Sequence, residues 1–229
     1  MSFRLTIHES LPSTSALLTE LAGRGEPEGL AILARRQTAG RGTQGRVWES
    51  PAGNLHLSVL LRPRGPVRQA PQWALLAAVA LHQAAGAGTR LKWPNDLMRD
   101  GAKAGGILTE TASTAGGWID WIVLGFGVNL AFAPALPGRA TAAMGAEPPE
   151  EFAARLLGAL DHWRAIRVLE GFAPIRAAWM AAGPEHGTPL SVLQGAARLA
   201  GRYEGLTEDG GLLLATGGRV HTLHVGEIG

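Results

Sequence analysis

Residues 40 to 48 read GRGTQGRVW, three glycines at G-x-G-x-x-G spacing combined with two arginines and a tryptophan. Backbone amides opened by glycine, and guanidinium groups able to grip an oxyanion through two parallel hydrogen bonds, are the parts from which a phosphate or carboxylate site is made. Trp48 is placed to stack on a flat ring. Two common nucleotide loops fail on context. A dinucleotide loop needs a helix opening directly after its glycines, but ESPAGN follows Trp48, and Pro51 and Gly53 stop a helix there. A Walker A loop needs Lys and then Ser or Thr after its last glycine, where Arg46 and Val47 stand. What remains is a pliable cationic loop for an anion, or, on the blander reading, a solvated turn beside a core tryptophan.

The second cluster surrounds the lysines. Lys92 and Lys103 are the only two in the chain, and arginine supplies every other fixed positive charge. A genome rich in Arg codons explains the arginines, while a retained lysine fits a place where a compact ammonium is needed and a planar guanidinium is not. Asp100-Gly101 predicts a two-residue hairpin turn, pairing Arg99 with Ala102, Met98 with Lys103 and Asp96 with Gly105. In that register Asp96 and Lys103 share a face within side-chain reach. Gly105 and Gly106 leave the same region bare, which suits a bulge or a ligand lying against the backbone. As a surface ion pair alone, Asp96 and Lys103 would contribute little.

These residues need elements to hold them. A short first strand precedes PSTSALLTELAGRG, a helix with Ser13, Thr14 or Ser15 as its cap and Gly23 and Gly25 at its end. Such a helix start also offers free N–H groups to a ligand. LAILARRQ and NLHLSVLLRP read as strands flanking the glycine loop, the latter with Leu55, Leu57, Val59 and Leu61 on one side. A helix is expected over 71–85 with Pro71 in its first turn. Next come the hairpin and a buried strand in WIDWIVLGFGVNLAF. Helical spacing follows at Phe152, Leu156, Leu160, Trp163 and Ile166, and a second helix reaches Met180. From Thr188 short β-like runs are broken by Asp209-Gly210-Gly211 and Gly217-Gly218, which predicts a small β-barrel.

Composition narrows the class. With 46% hydrophobic and 17% charged residues over 229 positions, the chain is a folded protein with a substantial core. Its formal net charge of +2 is no signal for nucleic acid. The absence of cysteine excludes disulfides, thiolate nucleophiles and Cys-based zinc sites. The N-terminus lacks a signal-peptide pattern, and the apolar stretch from Trp118 is interrupted by Asp120, Gly125, Gly127 and Asn129, so a membrane span is not expected. A cytoplasmic location is the expectation.

GRGTQGRVW, KWPND at 92 to 96 and KAGGIL at 103 to 108, with PSTS before them and GVNL at 127 to 130 after, together resemble the biotin protein ligases in their form without a DNA-binding domain. The resemblance implies an α+β fold of the class II synthetase-like, biotin/lipoate ligase type: a mixed or antiparallel sheet flanked by helices over residues 1–183, and a C-terminal SH3-like β-barrel over 184–229. It implies that biotin and MgATP form biotinyl-5′-adenylate and pyrophosphate, and that a lysine of a biotin carboxyl carrier domain then receives the biotinyl group. A carboxylate attacking the α-phosphorus of a polyanion needs fixed positive charge and a metal to offset the repulsion.

Carried over residue by residue, the resemblance makes Lys103, Asp96 and Arg41 catalytic, with Asp96 orienting or deprotonating the acceptor lysine. Biotin falls to Ser13, Thr14, Ser15, Gln37, Arg41, Gly42, Thr43, Lys103, Gly105 and Gly106. The nucleotide falls to Arg46, Trp48, Lys92, Asn95 and Asn129. No protein ligand is assigned to Mg2+, which arrives mainly on the ATP phosphates. Partners are the carrier domain of a biotin-dependent carboxylase, with no DNA and no membrane; a homodimer is compatible. Thr43 and Gln44 stand where the family often has basic residues, and Ser15 where Asn is common, so Thr43 is expected to hold the adenylate less tightly than Arg. Three rivals are a lipoate or octanoyl ligase of related fold, an RNA-binding module using the arginines and aromatics, and a structural adaptor in which Lys103 has no chemical role.

Overall fold

The structure, a computed structural model, describes residues 3–136, 138–195, 197–224 and 226–228. In chain order its first sheet contains β1 (Arg4–His8), β2 (Leu30–Ala34), β3 (Leu55–Leu61), β4 (Thr89–Lys92), β5 (Asp96–Arg99), β6 (Ala102–Ser113) and β7 (Ile119–Val128). Helix α1 (Thr14–Gly23) lies between β1 and β2, and α2 (Ala70–Ala85) between β3 and β4. The spatial order is β1-β2-β3-β7-β6-β5-β4. Only the β1–β2 pair is parallel, so the sheet is mixed, as expected.

Strand β3 shows why this sheet can carry both a core and a pocket. All seven of its residues are buried. Leu55, Leu57, Val59 and Leu61 join α2, α3 (Pro149–Glu170) and α4 (Ala173–Ala182) in the main core. Leu60 turns the opposite way and packs with Leu18 of α1 and Ile32 of β2. His56 and Ser58 lie on Leu60's side by the two-residue alternation of a strand. The polar residues of LHLSVLL are thus turned away from the main apolar layer.

Helix α1 begins where the hydroxyl cap predicts: Ser13 is the N-cap, and its Oγ accepts from the Ala16 N–H at 3.3 Å. Helix α2 starts one residue before Pro71, after a 3-10 turn at Val67–Gln69. The hairpin turn forms as expected, with Asp100 and Gly101 at φ 50° and 77°. One register expectation is corrected. Met98 pairs with Lys103, but Leu97 pairs with Gly105 and Asp96 with Gly106, because a bulge leaves Ala104 unpaired.

The tail forms a second, antiparallel sheet of β8 (Pro189–Gln194), β9 (Ala197–Leu206), β10 (Leu212–Thr216), β11 (Arg219–Leu223) and β12 (Glu227–Ile228), in the order β11-β10-β9-β8-β12. The expected barrel is not a closed ring among the described residues. β12 is two residues long and β11 is largely exposed, so the edges do not meet. The sheet's Tyr203, Leu206, Leu212 and Leu214 enter the same core as α2 and α4.

Asn54 ties β3 to the chain leaving β7. Its Oδ1 accepts from the N–H groups of Leu130, Ala131 and Phe132 at 3.0 to 3.1 Å, while its Nδ2 donates to the Phe132 carbonyl at 2.7 Å. Replacing Asn54, 1% exposed, by alanine strands several backbone groups at once. The expected cost is about 3 kcal/mol, seen as a melting temperature lower by roughly 6–12 °C in calorimetry. Asn54→Asp, which keeps the acceptor, is expected to lose less.

Candidate functional site

Three hollows meet on the face of the sheet that carries Ser58 and Lys103, and Lys103 is the one residue that lines all of them. The first runs beneath the glycine loop. Its far end is a knot of hydroxyls and an amide: Ser13, Thr14 and Ser15 from the start of α1, Gln37, and Ser58 from β3. Thr14 donates its N–H and hydroxyl to Gln37 Oε1 at 2.8 and 3.2 Å, and Gln37 Nε2 donates to Ser50 Oγ at 2.9 Å, which fixes the amide's orientation. The Thr14 and Ser58 hydroxyls are 2.8 Å apart. With the Thr14 proton directed at Gln37, Ser58 donates to Thr14 and retains lone pairs to accept from an N–H donor in the hollow.

The floor is made of glycine. Gly106 and Gly127 are cross-strand partners on β6 and β7, with Gly125 two residues along. A Cβ on Gly127 would lie 2.5 Å from the Trp48 ring, and one on Gly106 would lie 3.4 Å from Lys103 Nζ and 3.5 Å from Trp48. The indole therefore rests on bare backbone, with Lys103 Nζ 5.7 Å from its ring centroid. Trp48 lines the second hollow as well, with Arg46, Asn129 and Arg139, and so divides the two.

Lys103 is held from both ends. Its Nζ donates to Asp96 Oδ1 at 2.5 Å, with the two side chains only 17% and 15% exposed. Its N–H donates to the Ala140 carbonyl at 2.9 Å, its carbonyl accepts from the Ala142 N–H at 3.0 Å, and Asn129 Nδ2 donates to that same carbonyl at 3.4 Å. An ammonium on so rigid a base, opposite amides and guanidinium groups of a glycine loop, can offset charge on two anions brought together in front of it.

The loop itself is a small ring. Gly42 N–H donates to the Arg46 carbonyl at 2.7 Å and Trp48 N–H to the Gly40 carbonyl at 3.0 Å. Gly40 is obligatory at its base, where a Cβ would meet the Trp48 carbonyl at 2.2 Å. Gln44 and Gly45 turn the tip with φ 58° and 73°. Arg41 pairs with Glu110 at 3.0 Å and Arg46 with Glu227 at 2.9 Å. Burial pulls the Glu227 carboxyl upward, but the hydrogen bonds and charges of Arg46 and Arg139 together outweigh it, leaving it below its ordinary value. Thr43, where a base is common in the family resembled, accepts from Arg46 Nη2 at 3.0 Å and braces that guanidinium.

Of the residues expected from sequence, Ser13, Thr14, Ser15, Gln37, Arg41, Gly42, Thr43, Trp48, Asn95, Lys103 and Gly106 line the first hollow. Arg46 and Asn129 line the second, Lys92 and Asp96 the third. Gly105 lies on the other face, where a Cβ would meet the Gly127 carbonyl at 3.0 Å. Lys92 is the cross-strand partner of Asp96 and lines neither the first hollow nor the second. Asn95 spends its Nδ2 on the Ile107 carbonyl at 2.6 Å, and Asn129 is 1% exposed with Oδ1 unpartnered, so both brace backbone. Sequence reasoning missed Ser58, Gly125, Glu110, Arg139 and Glu227. The G-F-G alternation in β7 and the serine opposite the leucines of β3 were the available signals for the first two.

His56, beside this floor, is 1% exposed, with Nε2 3.1 Å from the Pro51 carbonyl. Burial lowers its pKa, partly opposed by that carbonyl. Among the described residues no three His, Cys, Asp or Glu side chains converge as a metal site, and no helix is long and apolar enough to cross a membrane.

Residues 7–129 match the model of the biotin/lipoate A/B protein ligase family. A biotin–[acetyl-CoA-carboxylase] ligase of Paracoccus denitrificans is 39% identical over 199 residues, covering 80% of this chain and 82% of the relative. One of Mycobacterium tuberculosis with the same description is 33% identical over 232 residues, covering 94% and 85%. A solved biotin protein ligase of Aquifex aeolicus, in complex with biotin and ATP, superposes with a TM-score of 0.81 at 24% identity over 99% of this chain and 97% of that one, a likeness of fold.

Proposed function

The chain belongs to the biotin/lipoate A/B protein ligase family, and from that membership we propose that it is a biotin protein ligase, joining biotin to a lysine of a carboxyl carrier domain at the expense of ATP. The observation that carries this reading is that Lys103 lines three hollows at once, at a point where biotin, ATP and an acceptor lysine would have to meet. The hydroxyl-lined end of the first suits the ureido ring of biotin, whose N–H groups need acceptors and whose carbonyl needs donors. Its carboxylate then points back toward Lys103. The second hollow, with Arg46, Arg139 and the Trp48 ring, suits a nucleotide. The third opens on Asp96 and Lys103 and suits an incoming lysine.

In the first step a biotin carboxylate oxygen attacks the α-phosphorus of MgATP, and the bond to pyrophosphate breaks with its electron pair leaving on pyrophosphate. Mg2+ enters with the substrate phosphates. Lys103 and the loop amides offset the charge gathered at the reacting centre. In the second step the acceptor amine attacks the acyl carbon and AMP leaves. As Lys103 turns from Asp96 to the acyl phosphate, the Asp96 carboxylate is freed to take the proton that the acceptor must lose.

Biotin-dependent ATP–pyrophosphate exchange tests the reading. Exchange is expected with biotin and not with lipoate or octanoate, because an apolar chain leaves the hydroxyl knot at Thr14 and Ser58 unpaired. Exchange driven equally by lipoate, or none with biotin, contradicts it.

A further inference from the structure

The glycine loop's apolar grip on the protein is confined to Trp48 at its C-terminal end, packed on the Gly127 floor. Val47 is 80% exposed, and the segment from Gly40 to Arg46 has no large hydrophobic residue. Its only charges are Arg41 and Arg46, one on each arm, and each is taken up by a carboxylate from a different element. Arg41 Nη2 lies 3.0 Å from Glu110 Oε1. Glu110 lies two residues beyond Leu108 on the floor strand β6, and Leu108 and Arg41 both line the first hollow, so this pair ties the loop to the strand that floors it. Glu110 is only 19% exposed, and its other oxygen is buried without a partner. On the opposite arm Arg46 Nη1 donates to Glu227 Oε1 at 2.9 Å, while Thr43 holds the same guanidinium from within the loop. Glu227 also receives Arg139 and lies on β12, 181 residues further along the chain.

We infer that Glu110 and Glu227 are positioning residues, each pinning one arm of the loop over the hollow before any ligand arrives. The loop's closure then rests on two charge pairs, one to the pocket floor and one to the C-terminal sheet. In this chain Thr43 and Gln44 bring no charge of their own to a bound adenylate, so retention falls to the pinned arms. The catalytic consequence, slower loss of adenylate, rests on the ligase reading; the pinning does not.

Hydrogen exchange of the loop amides in the ligand-free protein, read by mass spectrometry, tests the pinning without any substrate. Glu110→Gln and Glu227→Gln each keep the side chain's size and are expected to speed loop exchange by about threefold to fivefold. Because the pins act on separate arms, the double variant is expected to reach roughly tenfold or more. Wild-type loop exchange rises with sodium chloride, and the double variant loses that salt response, which a purely steric role for the two residues would leave intact. If wild-type protein also supports biotin-dependent exchange, dissociation of biotinyl-adenylate accelerates in the same order. Loop exchange at the wild-type rate in both variants, or insensitivity of the wild-type loop to salt, overturns the inference. Absence of pyrophosphate exchange in wild type, with the loop responding as described, overturns the ligase reading alone.

Discussion

Replacing Lys103 by alanine is expected to lower biotin-dependent ATP–pyrophosphate exchange by about a thousandfold or more. Removal of a single neutral donor at a site of developing charge costs about 10²–10³ in rate. Lys103 supplies a full charge as well as a donor, and its loss leaves the Asp96 carboxylate, 15% exposed and 2.5 Å from the missing ammonium, uncompensated beside two further anions. The variant should still fold, because the backbone at position 103 is held by Ala140, Ala142 and Asn129 whatever the side chain. Lys103→Arg is not a rescue. The ammonium sits between Asp96, the Trp48 ring and the bare face of Gly106, where a Cβ would already approach it to 3.4 Å, and a planar fork does not fit. Initial rates of labelled pyrophosphate incorporation, with circular dichroism as the folding control, check both variants.

The second large effect is expected at a residue with no side chain. Gly127→Ala places a methyl group 2.5 to 2.8 Å from the Trp48 indole, closer than any real contact allows. The ring must move, and with it the partition between the first two hollows. Displacement by about an ångström of a group that positions a reactant costs roughly a hundredfold in rate. The loss is expected in kcat/KM for ATP and biotin together, because Trp48 lines both hollows. Gly125→Ala is the comparison: a Cβ there meets Ser58 Oγ at 3.5 Å, an ordinary contact, so the ring stays in place and the loss from a methyl group on the floor of the first hollow is expected for biotin alone. Steady-state kinetics with each substrate varied in turn distinguish a shared loss from damage to one site.

Much of this site could be read from local chemistry. The paired positive φ of Asp100 and Gly101 forms the turn that Asp-Gly predicts, and that turn pairs Met98 with Lys103 and so brings Lys103 within reach of Asp96. The hydroxyl run at 13–15 reads as a helix cap, and Ser13 is one, with Thr14 and Ser15 buried beside it. The bulge at Ala104 was not legible, because Ala-Gly-Gly has no side chain large enough to declare a face, and one extra residue there moves Gly105 away from the pocket. Glu110 and Glu227 were not legible for another reason. Nothing in a carboxylate's local sequence announces an arginine 69 or 181 residues away, and such pairings appear only when the sheets are assembled. The barrel expectation followed glycine-broken β runs, which specify strands but leave open whether their edges meet.

A crystal structure of the protein with a non-hydrolysable biotinyl-adenylate analogue would show directly whether Lys103 serves the reacting centre. The ureido ring is expected among Thr14, Gln37 and Ser58, with Lys103 Nζ turned from Asp96 to the linkage between the biotinyl and phosphate groups. An analogue bound elsewhere, or bound with Lys103 still on Asp96 and out of reach of that linkage, would contradict it.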